Sequence, residues 1–291
     1  MTKQEQLSWE ARWARPAAIS AFAAGLLLLL HIVLLQSGLE DRPRVEPLPD
    51  FLLSIDDASG TFLASKLAQT LAALLLIPVF LLLFRAANAR GAGMPKFFIY
   101  LVIGGPLLYA AGTILGTLQQ LDVAEDFAGR ALESVRGERG DQLAEDLLRE
   151  DSNGILFGAS FAGSVAIGFL YVMMPLRARR VGLLSPFMSI LGVVAGALFV
   201  LQLLPLVPIV VQAFWLGAVG ALYLGNWPGG RGPAWESGES EPWPTPAQRR
   251  GLEPMPERDE PERESLLDPS EPVEPEPVPR RPSSRKRKRR R

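Results

Sequence analysis

The chain has 291 residues, 48% of them hydrophobic, with a mean hydropathy of +0.17, which is high for a soluble protein. It has no cysteine, which excludes disulfides, thiolate metal sites and cysteine nucleophiles. The net charge of −1 conceals segregation: residues 253–276 hold ten acids against Arg258 and Arg263, and 280–291 hold nine basic residues and no acid. Arg outnumbers Lys 25 to 5, which reads as the mark of a GC-rich bacterial genome.

Six apolar runs at 17–36, 62–84, 97–117, 153–176, 186–204 and 207–225 each have about the 20 residues that a helix needs to cross a bilayer. So small a globule could not bury six of them. The expected fold is all-α and polytopic, with six transmembrane helices.

Residues 1–16 are polar. Trp9 and Trp13, at i and i+4, fit either a short interfacial helix or an aromatic anchor for the first span. Span 17–36 is too long for a signal-peptide core, and no Ala-x-Ala site follows it, so it is expected to remain as a helix. Segment 37–61 carries six acids against Arg42 and Arg44. Segment 85–96 carries Arg85, Arg90 and Lys96 with no acid. Segment 122–152 has ten acids against four arginines, and 177–185 has Arg177, Arg179 and Arg180 with no acid. Short basic loops stay in the cytoplasm. The reading is a bacterial cytoplasmic (inner) membrane protein with both ends inside, and with 37–61 and 122–152 as outer loops.

Val123, Phe127 and Ala131, then Leu143, Leu147 and Leu148 beyond Gly137 and Gly140, predict two short amphipathic helices forming an outer cap. Pro205 and Pro208 predict a tight hairpin between the last two spans. Fourteen of the 25 prolines fall in 226–291, among Glu, Arg, Ser and Gly. That stretch is expected to be a disordered cytoplasmic tail, because it cannot bury enough apolar surface to offset its ordering entropy. Trp227, Trp235 and Trp243 recur every eight residues at its start.

Small residues recur at helical spacing: Gly112 and Gly116 in span 3, Gly154, Gly158 and Ala162 in span 4, Gly192 and Gly196 in span 5. Such stripes let backbones approach closely. They serve packing within the bundle or the seam of a homo-oligomer.

His31 is the only histidine and reads as the only ionisable residue well inside a span, so it is the candidate functional intramembrane residue. The alternative is a neutral histidine hydrogen-bonded near the headgroups. Gly158-Ala159-Ser160 is similar to the Gly-x-Ser of rhomboid intramembrane proteases. Phe161 stands where their motif has glycine, and span 6 has no histidine to act as base. No other catalytic constellation is present, so no enzyme activity, cofactor or metal is expected. Thr113, Thr117, Gln119, Gln120, Gln202 and Gln212 gather toward the outer half. They could line a polar vestibule or bond between helices. The basic string Arg285, Lys286, Arg287, Lys288, Arg289, Arg290 and Arg291 would take anionic lipid, nucleic acid or an acidic protein, or fold back on the acidic block before it.

Ser185-Pro-Phe-Met-Ser-Ile-Leu-Gly192, Trp227-Pro-Gly-Gly, Pro233-Ala-Trp235 and Glu241-Pro-Trp243-Pro resemble a group of uncharacterised actinobacterial multi-span proteins. The likeness covers the spans and proximal tail. It implies a membrane protein and assigns no activity. The leading expectation is a non-enzymatic scaffold or accessory subunit that recruits partners through its tail. The alternative is a small-solute or ion transporter, or channel component, with a site beneath the 122–152 cap.

Overall fold

Along the first helix alanines point inward and large aliphatic residues point outward. Ala14, Ala17, Ala18, Ala21 and Ala24 are buried along the first helix, while Ile19, Leu26 and Val33 of the same helix are exposed. Leu71, Tyr100, Phe161, Ile190 and Phe214 are likewise exposed on later helices. In water this would be an aggregating surface; in lipid it is neutral, and the inward alanines gain close backbone contact.

The computed structural model describes residues 2–39, 48–131, 138–150, 154–201, 206–228 and 230–249. Its helices are α1 (Lys3–Leu39), α2 (Leu48–Asp57), α3 (Ser59–Ala89), α4 (Phe98–Ala131), α5 (Glu138–Glu150), α6 (Gly154–Arg180), α7 (Pro186–Leu201), α8 (Val207–Leu224), α9 (Pro233–Ser237) and α10 (Pro246–Arg249). No strand occurs among the described residues. Residues Met1–Pro244 form one compact unit; in the second, Thr245–Arg291, α10 is the described element.

Five helices, α1, α3, α4, α6 and α8, are long and apolar enough to cross a membrane. The remaining expected span, 186–204, corresponds to α7, which is apolar but has only 16 residues, about 24 Å at 1.5 Å per residue. In the bundle, α1 packs on α3, α3 on α4, α4 on α6, α6 on α7, α7 on α8, and α8 back on α1. The six helices close a ring in chain order. Phe80 stacks on Trp215 in its core, Tyr171 meets both rings edge-on, and Trp215 Nε1 donates to the Met188 carbonyl at 3.0 Å.

Several expected boundaries move. The polar 1–16 and the first span are one helix, and Pro16 does not end it. With 37 residues, α1 runs about 55 Å, well past a hydrocarbon core of ~30 Å. The first half of the predicted cap is not a separate helix. No proline interrupts 118–131, so α4 continues, and Val123, Ala124 and Phe127 are buried. The second half is α5. Segment 37–61, expected as a loop, contains α2, whose Leu52 and Ile55 join Phe62, Phe127, Ala144 and Leu147 in a small separate core. We call this the acidic end of the bundle.

The opposite, basic end is tied by one buried ion pair. Arg90 Nη1 meets Glu10 Oε1 at 2.6 Å and Nη2 meets Oε2 at 2.9 Å. The Arg90 side chain is 0% exposed and that of Glu10 is 4%. Gln6 Nε2 donates to the same carboxylate at 2.8 Å. Arg90 also donates to the Ala86 carbonyl and, through Nε at 2.7 Å, to that of Ala234. One guanidinium thus joins α1, α3 and α9.

The expected disorder from residue 226 is corrected for its first stretch. Residues 226–244 belong to the first unit. Trp235 is buried, its Nε1 donates to the Leu183 carbonyl at 2.9 Å, and Arg231 donates to the carbonyls of Leu222 and Tyr223. Gly182 has φ +76°, and a Cβ there would strike the Glu241 carbonyl, so the tail backbone lies directly on the α6–α7 turn. The three tryptophans supply the apolar area that the proline count hides: Trp227, Trp235 and Trp243 all pack on the main core. Residues 250–291, with the basic string Arg285–Arg291, lie outside the described residues.

Candidate functional site

The overhangs at the acidic end enclose space. A cavity of about 620 Å³ lies between α3, α4 and α6, with Val123 of α4 and Leu148 of α5 among its walls. Its lining is rich in amides and hydroxyls: Gln69, Tyr109, Thr113, Thr117, Gln120 and Ser160. These come from one face of α4 and the facing turns of α3 and α6. The cavity exists because α4 and α6 are zipped only along part of their length. Gly105 faces Ala166, Tyr109 faces Gly163, and Gly112 faces Ser160, in antiparallel register. Above that zip, Gly116, Gly154 and Gly158 have nothing within reach of an added Cβ.

One charge enters the cavity. Lys66 stands on the α3 wall, half-buried, with its ammonium 5.4 Å from the Phe62 ring centroid. Among the described residues no carboxylate lines the cavity and Lys66 has no ion pair. In the sequence Lys66 stands near the start of the apolar run 62–84, so it does not stand out as an intramembrane charge. The helix in fact begins at Ser59, which carries Lys66 two turns inward. Its spacing of three from Gln69, on one helix face, is the signal that was there to be read.

His31, the intramembrane residue singled out from the sequence, does not reach this cavity. It is buried on α1, where Nδ1 lies 2.8 Å from Ser65 Oγ and 3.0 Å from the Ser65 carbonyl, and Ser65 Oγ donates back to the His31 carbonyl at 3.1 Å. It joins α1 to α3 beside Lys66. Among the vestibule candidates, Thr113, Thr117, Gln119 and Gln120 line the cavity, whereas Gln212 lines another one. Gln202 lies outside the described residues.

The glycine and alanine positions divide. Gly112 meets the Ser160 backbone, Gly192 meets Pro175 and the Trp215 ring, and Gly196 meets the Gly168 carbonyl and Tyr171. Gly116, Gly154, Gly158 and Ala162 make no such approach: the glycines face open space and Ala162 is exposed. The stripe of α6 that packs on α4 is instead Ser160, Gly163 and Ala166. It is shifted because both faces of α6 carry small residues, and only contact with a partner helix selects one.

No group of His, Asp and Glu suited to a metal occurs among the described residues. No protein-family model, curated protein or solved structure matches the chain.

Proposed function

We propose that this is a six-span protein of a bacterial plasma membrane that binds a small polar solute bearing one acidic group and carries it through the acidic-end cavity. The observation that supports this is the pairing of a roughly 620 Å³ amide- and hydroxyl-lined space with one ammonium and, among the described residues, no carboxylate. Its volume falls within the ~300–1,000 Å³ range of ligand pockets. An ammonium held partly out of water gains most from an anion that replaces its lost hydration, and neighbouring hydroxyls and amides serve the solute's remaining polar groups. Asp50 of α2 and Asp141 and Glu145 of α5 are exposed. They do not enter the cavity.

In this reading α7 is the sixth span, both chain ends lie in the cytoplasm and the cavity opens outward. The charges of 85–96 and 177–185 support that orientation. With single cysteines at 141 and 179 in intact cells made permeable in the outer envelope, an impermeant maleimide should label 141 alone. The competing reading is a non-enzymatic scaffold or accessory subunit working through the tail 226–291, of which residues 250–291 lie outside the described residues.

The decisive experiment is calorimetric titration of the protein in nanodiscs with lactate, glycolate and 3-hydroxybutyrate, each against its neutral amide. The carboxylates should bind and the amides should not, and Lys66→Gln should abolish the difference. Equal binding of both series, or none of either, would overturn the proposal.

A further inference from the structure

A second cavity, of about 330 Å³, lies inside the helix ring among α1, α3 and α8, and is separate in character from the first. Its walls are chiefly apolar, with Leu28, Leu76, Ile167, Phe199 and Ile209 contributing. Among the described residues no Asp, Glu, Lys or Arg lines it. Four polar residues do: His31, Gln69, Tyr109 and Gln212. Two of these are engaged with each other, Gln69 Nε2 donating to Tyr109 Oη at 2.8 Å. That bond stands where the two cavities share a wall, since both residues line both spaces.

Gln212 is different. It is 3% exposed, and its Nε2 has no hydrogen-bond partner among the described residues. A buried amide donor left unmade is costly, and native proteins rarely keep one without a use. His31 commits Nδ1 to Ser65, so the free edge of its ring is what remains for the cavity. The chamber thus offers one unmet donor, a second polar edge and an apolar wall. A molecule that fits must supply an acceptor. It must be mostly apolar, and it must be uncharged, because the wall provides no counter-charge.

We propose that this chamber binds a compact, lipid-soluble carbonyl compound whose oxygen accepts from Gln212 Nε2. Its apolar body lies against Leu76, Ile167 and Ile209, and it enters from the bilayer. The reading is independent of the solute proposed for the first cavity, because a charged hydrophilic solute would find no partner here.

Benzophenone tests it directly: it is small, uncharged and apolar, has one carbonyl, and labels neighbouring C–H groups on irradiation. The protein is taken in nanodiscs and adducts are mapped by mass spectrometry. Label should concentrate on Leu76 and Ile209 over the lipid-facing Leu71 and Phe214. Dicyclohexyl ketone should compete for the chamber and diphenylmethane, which lacks the acceptor, should not. Gln212→Leu should lower chamber labelling about 3- to 10-fold, the worth of one neutral hydrogen bond, and leave Phe214 labelling unchanged. Chamber labelling no denser than at Leu71 and Phe214, equal competition by diphenylmethane, or undiminished labelling in Gln212→Leu would each overturn the proposal. The competition arm uses the unaltered protein, so it stands even where the variant fails to fold.

Discussion

At the basic end of the bundle the overhanging chain is tied down; at the acidic end it encloses space. Both ends face the same problem, since α1 and α4 run far longer than a bilayer is thick. At the basic end, the first turns of α1, the α3–α4 turn, the α6–α7 turn and residues 226–244 converge on Arg90 and Trp235, whose polar atoms are met. At the acidic end, α2 and α5 pack on the end of α4 through a few leucines and Phe127, while the walls between α3, α4 and α6 stay apart. The proposed passage of a solute needs one firm reference and one region with room. The contrast assigns firmness to the ion pair and room to the Lys66 cavity.

The largest effect should come from breaking the firm end. Arg90→Ala leaves the Glu10 carboxylate buried without its cation, and breaking a buried pair by removing one partner costs about 3–5 kcal/mol. It also frees Ala234, so α9 should detach. Unfolding of the purified variant in mixed micelles should show this loss, with faster proteolysis between residues 226 and 244. The paired replacement Glu10→Leu with Arg90→Met should recover most of the stability, because two apolar groups leave no orphaned charge. A single variant as stable as the parent would mean that water reaches the pair, and the contrast between the ends would fail.

A smaller loss should follow at the zip that sets the floor of the cavity. A Cβ at Gly163 would lie 2.3 Å from the Tyr109 backbone nitrogen and 2.6 Å from its Cα. Backbone cannot yield as a flexible side chain does, so Gly163→Leu must separate α4 from α6. Overpacking of this kind costs about 1–3 kcal/mol. Because Tyr109 lines both cavities, the same variant should weaken carboxylate binding in the nanodisc titration. Unchanged binding together with lost stability would detach the zip from the site.

The ring of helices was legible because runs of some 20 apolar residues have one physical reading in a chain this short. The elements at the ends were not. The leucines of α2 are too few to outweigh the acids and prolines around them until Phe127 and Leu147 are placed opposite. Arg90 was legible as a topology charge and illegible as a buried one, since Glu10 lies eighty positions away and nothing local links them. Lys66 was hidden by the boundary of its own apolar run. The tail follows the same logic: proline content speaks for disorder, and only the three-dimensional partners of Trp227, Trp235 and Trp243 show that 226–244 has a surface to pack on.

The smallest effect separates the two small-residue stripes of α6. Gly158 has nothing within reach of an added Cβ, and its neighbours Phe157 and Phe161 stack on each other while 76% and 62% exposed. This face meets lipid rather than α4. Leucine there adds apolar surface to an apolar solvent and removes a helix-weakening glycine, so Gly158→Leu should change stability by no more than about 0.5 kcal/mol, the usual range for a surface substitution. The measurement is the same micelle unfolding used for Gly163→Leu, run beside it, together with the mass of the particle in detergent. A loss as large as that of Gly163→Leu, accompanied by a fall from a larger particle to a monomer, would show that a second copy of the chain covers Phe157 and Phe161. The open glycines at 154 and 158 would then be the seam of a dimer, and one wall of the Lys66 cavity would belong to the interface.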